Sequence, residues 1–242
     1  MPSILDRFKR PSAGFVPTTH QDVFALRLAQ KLGDGPAAAH YALLASEYSE
    51  GQLLHAYRRT IRHAQSGDLG RRFHVELERV AANGNGNGNG NTSLIAIRVE
   101  RRAVAAAIFH STHLEYTDSR QLSSAHEKAL ASAVAFIDWM VARFPVESAA
   151  IETIPNGGEI QRGVLRNAIC QTLRERLLPI WEIPKAALLE GCGYPALRSR
   201  LQLRGVATSI WPILSGTHAK LFIQDAAILG VHVQTERLFM IN

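Results

Sequence analysis

Cysteine is almost missing from this 242-residue chain, which holds only Cys170 and Cys192. Two thiols exclude a disulfide scaffold and a four-thiolate zinc site, and they fit a reducing compartment. Long apolar runs are missing too; none approaches the roughly 20 residues that span a bilayer. The opening residues, MPSILDRFKRPSAGF, lack the apolar core and cleavage site of a secretory signal. A cytoplasmic protein without membrane contact is therefore expected. Nor is there a Walker loop, a dinucleotide fingerprint or a nucleophile elbow. Charge of one sign is modest: 27 Lys+Arg against 21 Asp+Glu leave +6, which suits a polyanionic partner without identifying one. What the chain does have is apolar substance. At 46% hydrophobic residues it can build one or two domains with real cores.

Residues 83–91 read NGNGNGNGN. Glycine is costly to order and asparagine prefers turns, so no packed element would use this alternation. The segment is expected to be a flexible tether over 83–92, spanning roughly 15–18 Å at about 5–6 Å × √n. It divides the chain into a region over 1–82 and a domain over 93–242.

The first region is expected to be small and mostly helical. His20-Gln21-Asp22 opens a helical run through Val23, Leu26 and Ala29, stopped by Gly33 and Gly35. Pro36 suits the first turn of a second helix carrying Tyr41, Leu44, Ala45 and Tyr48, and Leu53, Leu54, Tyr57 and Ile61 form a third stripe. In LGRRFHVELERV the alternation of Phe73, Val75 and Leu77 favours a strand, with a helix as the alternative. Arg58, Arg59, Arg62, Arg71 and Arg72 read as a solvated helix face, with nucleic-acid docking as the second reading.

Beyond residue 92 the pattern changes. LIAIRV (94–99), AVAAAIF (103–109) and 114–117 read as three strands in meander. A long amphipathic helix over 123–143 leads to ESAAIETI (147–154), a helix over 160–177, and IWEI (180–183). Shorter helices follow, and a last helix over about 225–237 closes the chain. This order predicts an α/β fold, a mixed five-stranded sheet flanked by helices. Leu94–Val99 should be central, between Ala103–Phe109 and a parallel Ala149–Ile154. His110 and His113, at a strand end, are expected on opposite faces. Asn156-Gly157-Gly158 reads as a turn, or as a phosphate contact through backbone N–H groups.

These residues carry a family resemblance. LIAIRVERRAVAAAIF, SAAIETI, LPIWEIPKAALLEGCGYPALRSRLQLRGV and FIQDAAILGVHV, in that order, resemble the RuvC-type Holliday-junction resolvases of the RNase H-like superfamily. The resemblance covers residues 93–242; residues 1–82 have no counterpart. It implies phosphodiester hydrolysis by two Mg²⁺ ions on four clustered carboxylates, with the ions stabilising the attacking water and the leaving oxygen. It also implies DNA, branched DNA included, as partner, and a homodimer.

Carried over by position, only half of that acidic set is present. Glu152 matches the acid of the fourth strand and Asp225 the first acid of the last helix. Arg98 stands where the first-strand acid belongs, and Ile228 where the last-helix partner belongs. Two carboxylates cannot hold a two-metal clamp, and an arginine repels the cation and offers Glu152 a bidentate partner. Arg98 is therefore expected to point into the cleft within reach of Glu152. Glu100, on the same strand face as Arg98, is the third candidate metal ligand, although a hairpin-end charge is its plainer reading. Asp118 reads as a turn residue and His232 as a helix-surface imidazole. Lys185, Arg198, Arg200 and Arg204 form a basic set for nucleic acid beside the site.

Three functions follow. The first is a catalytically degenerate RuvC-like protein that binds structured or branched DNA and needs no cofactor. The second is an active Mg²⁺-dependent structure-specific endonuclease, and the third a protein–protein interaction module that kept only the fold.

Overall fold

The computed structural model describes residues 15–63, 69–82, 93–110, 113–154, 160–192, 199–215 and 220–240. The tether at 83–92 and the Asn156-Gly157-Gly158 turn lie outside them. The described residues fall into two compact units. One is drawn from Met1–Asn89, Glu190–Arg198 and Thr235–Asn242, the other from Gly90–Leu189 and Ser199–Gln234.

The first unit is helical: α1 (His20–Lys31), α2 (Ala38–Glu47), α3 (Glu50–Arg62) and α4 (Leu69–Ala82). Capping boxes start two of these helices. Thr19 accepts from the Asp22 N–H and Asp22 returns to the Thr19 backbone; Ser49 and Gln52 repeat the arrangement on α3. Gly33, at φ +74°, ends α1 in the left-handed conformation that glycine adopts without strain. Phe24, Tyr41, Leu53, Tyr57 and Phe73 form the core, joined by Phe239 from the end of the last helix, α9 (Lys220–Phe239). Phe24 stacks on Phe239 at 5.3 Å between ring centroids.

Residues 69–82 are a helix, against the strand expectation. Phe73, Leu77 and Val80 are buried at i, i+4 and i+7, whereas Val75 between them is 45% exposed. The period-two alternation came from one apolar residue on the solvent face. Helical spacing onto α3 decides the element.

The second unit is built on a sheet of order β3-β2-β1-β4-β5. The strands are β1 (Ser93–Glu100), β2 (Ala103–His110), β3 (His113–Gln121), β4 (Ser148–Glu152) and β5 (Ile180–Ile183). β1 is antiparallel to β2 and parallel to β4, as its continuous burial from Ser93 to Val99 requires of a central strand. β3 is longer than the sequence suggests, and it takes Asp118 out of a turn and into the strand, opposite Ala106. His110 and His113 are direct cross-strand partners rather than residues on opposite faces.

Alternation sorts the sheet into two faces. Ile95, Ile97, Val104, Ile108 and Ile151 pack with Phe136, Ile137 and Met140 of α5 (His126–Arg143) and Leu165, Ile169 and Leu173 of α6 (Ile160–Glu175). The opposite face of β1 and β4 carries Arg98, Glu100 and Glu152, which meet α9 and α8 (Arg200–Ile210). α9 comes close to the sheet at Gly230, where a Cβ would overlap the Phe109 ring. α9 starts at Lys220, earlier than the sequence suggests, so Asp225 lies inside the helix rather than at its end.

Candidate functional site

Parallel pairing of β1 with β4 creates the site. The register runs from Leu94 opposite Ser148 to Ile97 opposite Ile151, and one further step sets Arg98 beside Glu152. Arg98 is 3% exposed. Its Nη1 lies 2.5 Å from Glu152 Oε2, its Nε 3.6 Å from Asp225 Oδ2, and its Nη2 donates to Glu100 Oε1. One buried guanidinium thus contacts three carboxylates that arrive from β1, β4 and α9.

Two arginines from α8 complete the cluster. Arg200 donates to Glu152 Oε1 at 2.6 Å and lies 3.4 Å from Asp225 Oδ2. Arg204 grips Asp225 with both arms of its fork, at 2.9 Å to Oδ1 and 2.8 Å to Oδ2. Ser199 caps α8 through a box with Gln202, which fixes where Arg200 and Arg204 leave the helix. On the other side Arg162 of α6 donates to the Val99 carbonyl at 2.8 Å and stands 4.0 Å from Glu100. Four guanidinium groups therefore meet three carboxylates.

Burial and these charges together set the titration behaviour of two of the arginines. Burial, and then the Arg98 charge, hold Arg162 below its usual value against the pull of Glu100 and Glu152. Arg200 moves the other way: burial would lower it, but its hydrogen bond to Glu152 and the Asp225 charge raise it.

The donor set does not suit a divalent cation. Mg²⁺ takes hard oxygens with free lone pairs in near-octahedral array. Here both Asp225 oxygens accept from Arg204, and both Glu152 oxygens face Arg98 or Arg200. A cation placed among them would lie against the Arg98 guanidinium. Among the described residues no group of three or more His, Cys, Asp or Glu could hold a metal ion.

The remaining expected residues are placed as follows. Glu100 joins the cluster as a partner of Arg98 rather than as a free hairpin charge. Ile228, one turn past Asp225, is buried apolar core. His232 is 4% exposed, so it is interior and not the surface imidazole its sequence position suggested. Asp118 is held away from Arg98, since β2 separates β3 from β1. Lys185 is exposed at the first residue of α7 (Lys185–Cys192). Arg198 lies outside the described residues. Arg200 and Arg204, expected to face nucleic acid, turn inward to Glu152 and Asp225. Sequence reasoning missed Arg162; its one signal was helical spacing to Arg166, whose Nε donates to the Glu152 carbonyl at 3.4 Å.

No family model and no curated protein matches this chain. Solved structures do. Thermus thermophilus RuvC superposes with a TM-score of 0.50 at 13% identity, over 60% of this chain and 96% of that one. T. thermophilus RuvC in complex with a Holliday junction substrate gives 0.48 at 14% identity, over 60% and 95%. The yeast mitochondrial Holliday junction resolvase Ydc2 gives 0.43 at 11%, over 79% and 96%. With the five-stranded mixed sheet and its flanking helices, the first of these superpositions shows that the chain carries a RuvC-like fold.

Proposed function

We propose that this chain is a RuvC-fold nucleic-acid-binding protein that works without a divalent metal and does not cut its partner. The observation that carries the reading is Arg98, a buried cation fixed between Glu152, Asp225 and Glu100 where the resolvase pattern calls for an acid. It supplies in covalent form the charge that a bound ion would bring. Unlike an ion, it can neither lower the pKa of a water nor ligate a leaving oxygen.

Binding itself is supported by the fold, by the sequence resemblance to junction resolvases and by the net charge of +6. Arg200 and Arg204 act here as struts that hold α8 onto the acids. Phosphate contact falls to exposed cations such as Lys185.

The test is binding of a labelled four-way DNA junction, followed by fluorescence anisotropy across a salt series in Mg²⁺ and in EDTA. The expected result is binding in EDTA at least as tight as in Mg²⁺, because Mg²⁺ competes for phosphate, and an affinity that weakens steeply with salt through counterion release. Binding that needs Mg²⁺ would overturn metal independence. A protein that ignores DNA and RNA at low salt would overturn the nucleic-acid reading and favour the interaction module.

A further inference from the structure

In the RuvC-like unit, α5 turns an indole toward solvent. Trp139 is 47% exposed, while Ala133, Phe136, Ile137 and Met140 are buried on the other side of the same helix. Tyr116 of β3 meets the indole at 6.3 Å between ring centroids, with 60° between the planes, and lies 4.9 Å from Phe144 on its far side. A slip in the β2–β3 ladder aims Tyr116 this way. Ile108 pairs with Tyr116 and Phe109 with Leu114, so Glu115 is the extra residue of a bulge. The indole is therefore braced at one side and wet over about half its surface.

The charge on this face selects the partner. At about 100° per residue, Lys128, Ala135, Trp139 and Arg143 fall within an arc of roughly 80°. All four are exposed, and neither Lys128 nor Arg143 is held in an ion pair among the described residues. Glu127 points about 120° away from Trp139 on the same helix. Asp138, next to the indole in sequence, is tied to Arg176 at 2.9 Å. The face thus carries an aromatic ring between two cations that stand about 22 Å apart at 1.5 Å per residue. A second copy suits it poorly. Antiparallel pairing of two α5 faces sets Lys128 against Arg143, and parallel pairing sets each cation against itself. A polyanion that also offers flat rings suits it well.

We propose that the outer face of α5 binds single-stranded nucleic acid, with an unpaired base stacked on Trp139 and phosphates on either side held by Lys128 and Arg143. The proposal rests on the nucleic-acid reading above and adds to it a contact away from the Arg98 cluster. Stacking on an exposed ring accepts any base, because every base has a π-face, so this contact selects unpaired strand over duplex rather than one sequence over another.

The test uses the full chain, a labelled 20-base oligo(dT) strand and a labelled 20-base-pair duplex. Trp139→Ala should weaken binding of the strand by about fivefold or more, the loss of one stacked base, and leave duplex affinity within about twofold. Trp139→Phe should restore most of that loss. Oligo(dT) should quench tryptophan emission in the wild type, and the quenched part should vanish in Trp139→Ala. Lys128→Gln with Arg143→Gln alters only exposed side chains. It should make the plot of log affinity against log salt shallower by about 1–1.5 units, since each single-strand phosphate contact contributes roughly 0.7. This second variant decides the matter if Trp139→Ala fails to fold. If the wild type binds DNA and these variants bind the strand equally well, the α5 proposal falls and the nucleic-acid reading stands. A wild type that binds neither strand nor duplex overturns both. Concentration-dependent dimers that Trp139→Ala abolishes would assign the face to a second copy and overturn the proposal.

Discussion

Arg98 is the residue on which the site turns. Removing one partner of a buried ion pair leaves the other charge uncompensated in a poorly solvated place, which costs about 3–5 kcal/mol. Arg98→Met should destabilise the protein by less than that, about 1–3 kcal/mol in urea unfolding, because the α8 arginines still neutralise Glu152 and Asp225. Glu152→Gln beside it should cost less than the sum of the two single changes, a coupling that a double-mutant cycle measures directly. This pair was legible because the family resemblance set both residues at one site, and the parallel pairing of β1 with β4 lays them abreast. The α8 partners were not. Nothing in ARGININE-bearing spacing says whether a helix turns Arg200 and Arg204 toward solvent or toward acids on other elements, since that depends on where α8 lies over the sheet.

Elements show the same division between local and long-range information. α1, α3 and α8 announce their starts by short-range capping chemistry, Thr19 with Asp22, Ser49 with Gln52 and Ser199 with Gln202. α4 has Arg71 in sequence where such a box would need Glu or Gln, and its period was hidden by the exposed Val75 until α3 packed against it. The end of α6 holds a conflict that the chain tolerates. Leu177 has φ +58° and is 89% exposed, while the Leu178 N–H bonds to the Leu173 carbonyl and the Leu177 N–H to that of Arg174. That is a Schellman-type ending with leucine at the position glycine prefers. Leu177→Gly should stabilise the protein by about 0.5–1 kcal/mol, read as a higher urea midpoint with unchanged slope, because relief of the left-handed strain outweighs the added freedom of the unfolded chain. Between α2 and α4, His40 and His74 meet at 3.1 Å through their Nε2 atoms. Burial first, and then the His74 charge, lower the His40 pKa. Below its usual value the unfolded chain binds the proton more readily than the folded one. Stability from this contact is thus complete above about pH 6.5 and declines as pH falls through the depressed folded value. His40→Asn should flatten that part of the stability–pH curve.

The whole molecule comprises a helical unit and a RuvC-like unit whose acids are neutralised from within. The α/β sheet was readable because β1 is apolar on both faces and strand alternates with helix after it. The share of the last helix was not, since Phe239 packs with Phe24 more than 200 residues away in sequence and no local pattern signals such a partner. At this scale metal chemistry and arginine chemistry exclude each other at one spot, and the two make opposite demands on a single assay. Incubated with a four-way DNA junction in Mg²⁺ or Mn²⁺ and resolved on a denaturing gel, the protein should return every strand intact while binding the junction. Metal-dependent cleavage that disappears in Glu152→Gln would contradict the account.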